Sequence, residues 1–289
     1  NGSVLILSSG NSLKYSLFGS NPGRGYKPEE EWAGLGFRVA KKINPIQASP
    51  PQVVFDAVKV EHPNNLDDDD LGLNNRGVGS VAETFVMSKM EVTNEQYAVF
   101  LNAVSTTDTF HRLYNSKMQE DDNGGITRSG TNQNDFQYGI KVGMEKKPVN
   151  FVSLFDAMRF CNWLHNGGQD DSDTETGAYR LLREMDKANL KTVTRNPSAR
   201  VFLPTEDEWH KSAFFVEDAP NKPSQSFWTF ATSSDELATG AAIWNSTGPS
   251  SVGTGLQSSY GTFDQSGNLA EWTETFPSDR YGKRVVRGG

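Results

Sequence analysis

The sequence predicts an α+β protein, rich in loops, with a small sheet and about three helices. Three observations support this. Three segments pair a capping residue with a polar partner three positions on: Thr93 with Gln96, Ser153 with Asp156 and Thr205 with Glu208, the pattern that opens a helix. Short apolar runs bounded by turn residues read as strands. The 27 glycines, 13 prolines and 35% hydrophobic residues suit a loop-rich folded chain rather than a helical bundle.

Composition narrows the function classes. The 289 residues suffice for one large domain or two small ones. A net charge of −8 argues against a nucleic-acid partner, which needs a basic face. Cys161 is the only cysteine, so an intramolecular disulfide and a multi-cysteine zinc site are excluded. No apolar run approaches the 18 residues of a transmembrane helix. The 11% aromatic share can supply a core despite the low aliphatic content.

Residues 4–7 form a short apolar strand candidate between Gly2 and Ser8. Residues 21–36 are turn-rich, and residues 35–40 then alternate apolar and polar as a strand does. Residues 43–52, INPIQASPPQ, hold three prolines and read as a linker. Residues 53–60 read as the next strand. The aspartate run 67–70 reads as a solvated loop, or alternatively as a surface calcium site, although it lacks the EF-hand spacing.

Residues 84–92 read as a strand leading into the helix capped by Thr93, whose apolar face is Tyr97, Phe100, Leu101 and Val104. Residues 105–147 read as a long polar surface excursion. The second helix buries Leu154, Ala157, Met158, Cys161 and Leu164 and stops at Gly167. Cys161 on that face reads as a buried structural thiol rather than a nucleophile. Residues 168–200 form another polar insertion. Trp209 of the third helix turns into the core. Glu206 and Glu208 could be paired catalytic carboxylates, but capping and the helix dipole also account for them. Residues 216–260 are loop-rich, with Trp228 and Trp244 as candidate anchors.

The last stretch, residues 261–289, is the most informative. Asn268, Leu269 and Glu271 follow Gly267 on a tight turn. They offer an amide, a backbone carbonyl and a carboxylate, the oxygen donors that calcium takes. The alternative is that Asn268 caps the turn and Glu271 pairs with an arginine. Two sequons, at Asn1 and Asn245, matter only in a glycosylating host.

Several segments together resemble the formylglycine-generating enzyme (sulfatase-modifying factor) family: MEVTNEQYAVF, PVNFVS, FLPTEDEW, GNLAEWTE, RVVRGG and GLGFRVA. One departure is Leu154, where the family usually has an aromatic residue. The resemblance implies a C-type-lectin-like fold with a small mixed sheet. The motifs stand in rotated order, since GLGFRVA closes the family's domain but lies here near the start. Residues 53–289 and 1–42 would then form one domain joined through 43–52. A circular permutation, a piece of tandem domains or an artefact of numbering would each give this order.

The resemblance also implies what chemistry is lost. The family's reaction uses two cysteines that bind copper. Their places fall near Val4 and Ser9, and residues 1–20 contain no cysteine, so no copper is expected. A second branch of the fold builds a three-histidine iron site, but His62, His111, His165 and His210 are not patterned for one. What remains is a non-catalytic ligand-binding or assembly domain, exported or extracellular, with a structural calcium ion. The expected ligand is a carbohydrate or a protein, with self-assembly as a further outcome. The expected ligand-binding residues are Ser9, Asn11, Tyr15, Phe18, Arg24 and Tyr26, whose aromatic and basic groups suit recognition; packing of the loop is the other reading of these aromatics. The alternatives are a metal-dependent oxidoreductase using another site, and a structural subunit of a surface layer or filament.

Overall fold

The alternating stretch 35–41 enters two sheets rather than one, and the fold is arranged around that crossing. The structure is a computed structural model; it describes residues 25–42, 53–69, 77–105, 112–131, 135–170, 172–181, 192–243, 246–276 and 283–289. The chain runs β1 (Gly25–Tyr26), β2 (Leu35–Gly36), β3 (Ala40–Lys41), β4 (Ala57–Val60) and β5 (Phe85–Ser88). Next come α1 (Asn94–Val104), α2 (Lys117–Glu120), β6 (Ile126–Ser129), β7 (Gln137–Ile140) and α3 (Leu154–His165). It ends with β8 (Val201–Phe202), α4 (Glu206–Phe214), β9 (Phe215–Val216), β10 (Ser226–Phe227), β11 (Ala270–Trp272) and β12 (Arg284–Gly288).

One sheet has the order β1-β12-β11-β2, antiparallel except for the parallel pair β11 and β2. The other, β4-β5-β3-β8, is antiparallel throughout. Between them, the carbonyls of Phe37 and Val39 accept from the backbone N–H groups of Val92 and Ser88. The backbone therefore stays hydrogen-bonded while it changes sheets, as a buried segment must. Two two-stranded ribbons, β6 with β7 and β9 with β10, lie beside these sheets in the pairing of the described residues. The class is α+β with little helix.

All three expected capping boxes are present. Thr93, Ser153 and Thr205 each accept from the N–H three residues on, and the side chains of Gln96, Asp156 and Glu208 accept in return. Helices α1 and α3 meet through aromatic side chains. Phe160 lies 5.9 Å from Tyr97, 5.3 Å from Phe100 and 5.4 Å from Phe37 between ring centres. Leu35, Phe37, Val39 and Ala40 belong to the same core as Phe85, Met87 and Phe202. Residues 25–42 thus share one core with other described parts of the chain.

Several local expectations change. The strands expected over 53–60 and 84–92 shrink to β4 and β5, because beyond those limits the backbone turns to other partners, such as Asp56 and Phe37. The polar excursion 105–147 holds helix α2 and the β6–β7 ribbon, and it buries Leu113, Met118, Ile126 and Tyr138. Asn102 clamps this ribbon: its side chain accepts from the Tyr138 N–H at 3.0 Å and donates to the Tyr138 carbonyl at 2.8 Å. The strand expected at 4–7 and the linker 43–52 lie outside the described residues.

Candidate functional site

The turn ahead of β11 is built from residues that tolerate its backbone. Gly267 has φ +134°, and a Cβ there would lie 2.0 Å from the Ile243 carbonyl oxygen. Asn268 has φ 56°, a left-handed conformation that asparagine accepts better than most residues. Its side-chain oxygen accepts from the Ser250 N–H at 3.0 Å, and its amide donates to Glu91 at 2.9 Å. The Leu269 N–H also donates to Glu91, at 3.2 Å.

Glu271 is fully buried, and its partner is Arg38 of the β2–β3 crossing. Arg38 Nε and Nη2 donate to the two carboxylate oxygens at 2.6 Å each. Trp209 Nε1 adds a third bond at 2.9 Å. Arg38 Nη1 donates to the carbonyls of Ser88 and Lys89 at 3.3 and 3.2 Å, and Nη2 also donates to Phe263 at 2.9 Å. A guanidinium has five N–H donors, and all five are engaged. Burial pulls the guanidinium's pKa down, but the Glu271 carboxylate outweighs it and holds the value above the ordinary one. This is the arginine pairing that the sequence left open for Glu271.

Two further carboxylates face the same guanidinium. Burial pushes Glu91 well above the usual carboxylate range, with Asp264 and Glu271 adding to the rise. Burial also raises Asp264, against the pull of the Gly253 N–H at 2.5 Å and of Arg38. Glu271, Glu91 and Asp264 all act on the Arg38 guanidinium and favour its charged form. As arranged, the side-chain oxygens of Asn268 and Glu271 already accept from Ser250, Arg38 and Trp209. Among the described residues no group of three or more His, Cys, Asp or Glu side chains is placed to hold a metal ion.

A second network lies along β12 and α4. Arg195 bridges Glu208 at 2.7 Å and Glu274 at 2.7 Å, and its guanidinium stacks 3.7 Å from the centre of the Phe202 ring. Tyr179 donates to Glu274 at 2.7 Å. Arg287 pairs with Glu206. Glu206 and Glu208 are therefore each held by an arginine rather than by one another.

The aspartate run 67–70 needs a correction. Asp67 and Asp69 are exposed as a solvated loop requires, but Asp68 is buried and lies 3.0 Å from His210 Nε2. The imidazole sits between Phe214 and Phe227, at 4.7 and 5.3 Å between ring centres. Burial lowers its pKa, while the hydrogen bond to Asp68 pulls the other way. His62 bonds Tyr260, and His165 accepts from the Arg200 N–H. The three described histidines are separately engaged, and His111 lies outside the described residues.

Of the expected ligand-binding residues, Tyr26 is described. It packs against Trp32, 5.7 Å between ring centres, and Trp32 is 38% exposed. Ser9, Asn11, Tyr15, Phe18 and Arg24 lie outside the described residues, as does Trp244. Trp228 is half-buried and donates to Ser259 at 3.0 Å. Cys161 is fully buried on α3, and burial raises its thiol pKa well above the ordinary value, with Glu274 adding. Sequence reasoning missed Arg38, Glu91 and Asp264. One signal was available: Arg38 interrupts an otherwise apolar, buried crossing.

A family model described as "Sulfatase-modifying factor enzyme 1-like domain" matches residues 66–289. The match leaves out residues 25–42, although their strands are hydrogen-bonded within both sheets. No curated protein and no solved structure matches the chain.

Proposed function

Because the chain belongs to the sulfatase-modifying factor enzyme 1-like family, we propose that it keeps the family's scaffold and works as a non-catalytic binding or assembly domain, exported from the cell. The observation that carries this reading is Cys161. It is the single thiol in 289 residues, and it is sealed in the core with its thiolate disfavoured. Copper held between two thiolates needs two accessible cysteines. The Tyr26–Trp32 aromatic pair supports a recognition role, since exposed aromatic rings suit both sugars and protein surfaces. Ser9, Asn11, Tyr15, Phe18 and Arg24 are the other residues proposed to bind the ligand.

Oxygen uptake tests the reading. Purified protein, supplied with copper(I) and a cysteine-containing peptide, is expected to consume oxygen no faster than copper and peptide alone. Uptake proportional to protein, with loss of the peptide thiol, would overturn it.

A structural calcium ion at the turn bearing Asn268, Leu269 and Glu271 is a separate proposal, and the ion would compete with Arg38 for Glu271. A rise in Tm on adding calcium that disappears in Glu271→Gln supports it. Identical melting with calcium and with chelator removes Glu271 as a ligand.

A further inference from the structure

Sheet β4-β5-β3-β8 has an outward face as well as the face on the core. In its register Lys41 stands opposite both Val86 and Val201, and Lys59 stands opposite Val86 on the other side. Residues directly opposite share a face, so these four form one row. The next row, Ala40, Met87 and Phe202, points the other way and belongs to the core. Ser88 and its partner Ala57 lie two residues along from Val86 and Lys59 and extend the outward face. The outward face of an antiparallel sheet is ordinarily polar. Here Val86, Val201 and Ala57 are half-buried on it, and Val54, ahead of β4, is 74% exposed.

These side chains line a pocket of about 190 Å³, together with Val53, Phe55 and Leu164. The Phe55 ring meets Phe160 at 6.2 Å between centres, which ties this wall to the core. A cavity of roughly 150 Å³ with aliphatic and aromatic walls holds benzene, so this one takes a ring or a chain of about six carbons. Lys41 and Arg200 also line the pocket, and no Asp or Glu does. The carboxylates nearby in sequence are taken: Lys89 holds Asp56 at 2.9 Å, and Lys59 holds Glu61. Lys41 is exposed, and among the described residues no hydrogen bond or ion pair holds its ammonium. Arg200 is positioned by donating from Nη2 to the His165 carbonyl. In a chain of net charge −8, two cations lining one pocket with no carboxylate reverse the overall sign locally.

We propose that this pocket binds a small organic acid, its apolar tail among Phe55, Val86 and Val201 and its carboxylate held by Lys41 and Arg200. Apolar walls that supply affinity and a few charged groups that fix orientation are the usual division in small-molecule sites. Lysine and arginine give a carboxylate charge-assisted hydrogen bonds, which a cationic head cannot accept. The site is separate from the Tyr26–Trp32 pair, neither ring of which lines the pocket.

Hexanoate is the probe, titrated into the full chain and followed by amide NMR shifts. Saturable shifts are expected at Val86, Ser88 and Val201. Butanoate, two methylenes shorter, is expected to bind about 15-fold more weakly, since each buried methylene is worth roughly a factor of four. Hexylamine, with the same tail and the opposite charge, is expected not to bind. Lys41→Glu changes an exposed side chain and is expected to weaken hexanoate about tenfold or more, the loss of a hydrogen bond to a charged group. Ala57→Trp fills the pocket and is expected to abolish binding. The proposal is overturned by the absence of saturable shifts at millimolar hexanoate, by equal binding of hexylamine, or by full binding to a folded Ala57→Trp. Should Ala57→Trp fail to fold, the butanoate and hexylamine comparisons on the unaltered chain still decide.

Discussion

Arg38 forms a buried ion pair with Glu271 that ties the β2–β3 crossing to β11. Removing one partner of a buried ion pair typically costs about 3–5 kcal/mol, because the other charge is left without compensation. Here that charge would be Glu271, which also lies beside the raised carboxylates of Glu91 and Asp264. The sequence made an arginine partner for Glu271 thinkable but did not identify it, since 233 residues separate the two. Local pattern reading has no access to such a pairing. Glu31 gives a prediction at the same scale. Burial raises its carboxyl to about 7, with Asp156 adding and the Asn115 amide opposing. The folded state therefore holds this proton more tightly than the unfolded chain does. Its contribution to stability is present below the ordinary carboxylate range, near 4.5, and is lost as pH rises towards 7. Glu31→Gln is expected to flatten that part of the stability profile in urea titrations. An unchanged slope would show that Glu31 is not buried in this way.

Elements were legible where their signal was local. The three capping boxes are four-residue patterns, and each opened a helix where the sequence placed it. Strands were harder, because alternation needs length to be read. Strands β2, β3, β8, β9 and β10 have two residues each. The β6–β7 ribbon escaped notice because polar loop residues surround it and because Asn102, a side chain of α1, pairs with the Tyr138 backbone. Asp68 escaped for a related reason: its aspartate neighbours are exposed, and only the fold brings His210 to it. The helix caps are testable. Thr205→Ala removes the acceptor for the Glu208 N–H and is expected to lower stability by about 1 kcal/mol. A shift of the urea midpoint without a change in m would confirm this. No shift would mean that the Arg195–Glu208 pair holds the helix start without the cap.

At the scale of the whole molecule, the match over residues 66–289 shows the family. Strands from residues 25–42 lie between or beside strands from the rest of the chain in both sheets. One core cluster spans both regions. The motifs GLGFRVA and GNLAEWTE, far apart in sequence, meet through Arg38 and Glu271. Both motifs can be read in the sequence, but their contact is a long-range property that only the fold displays. The central claim is that residues 25–42 are structurally part of this fold, and amide hydrogen exchange under native conditions tests it most directly. The amides of residues 36–41 are expected to exchange as slowly as those of β5 and β8, through global unfolding alone. Rapid exchange of residues 36–41, with β5 and β8 still protected, would contradict the account.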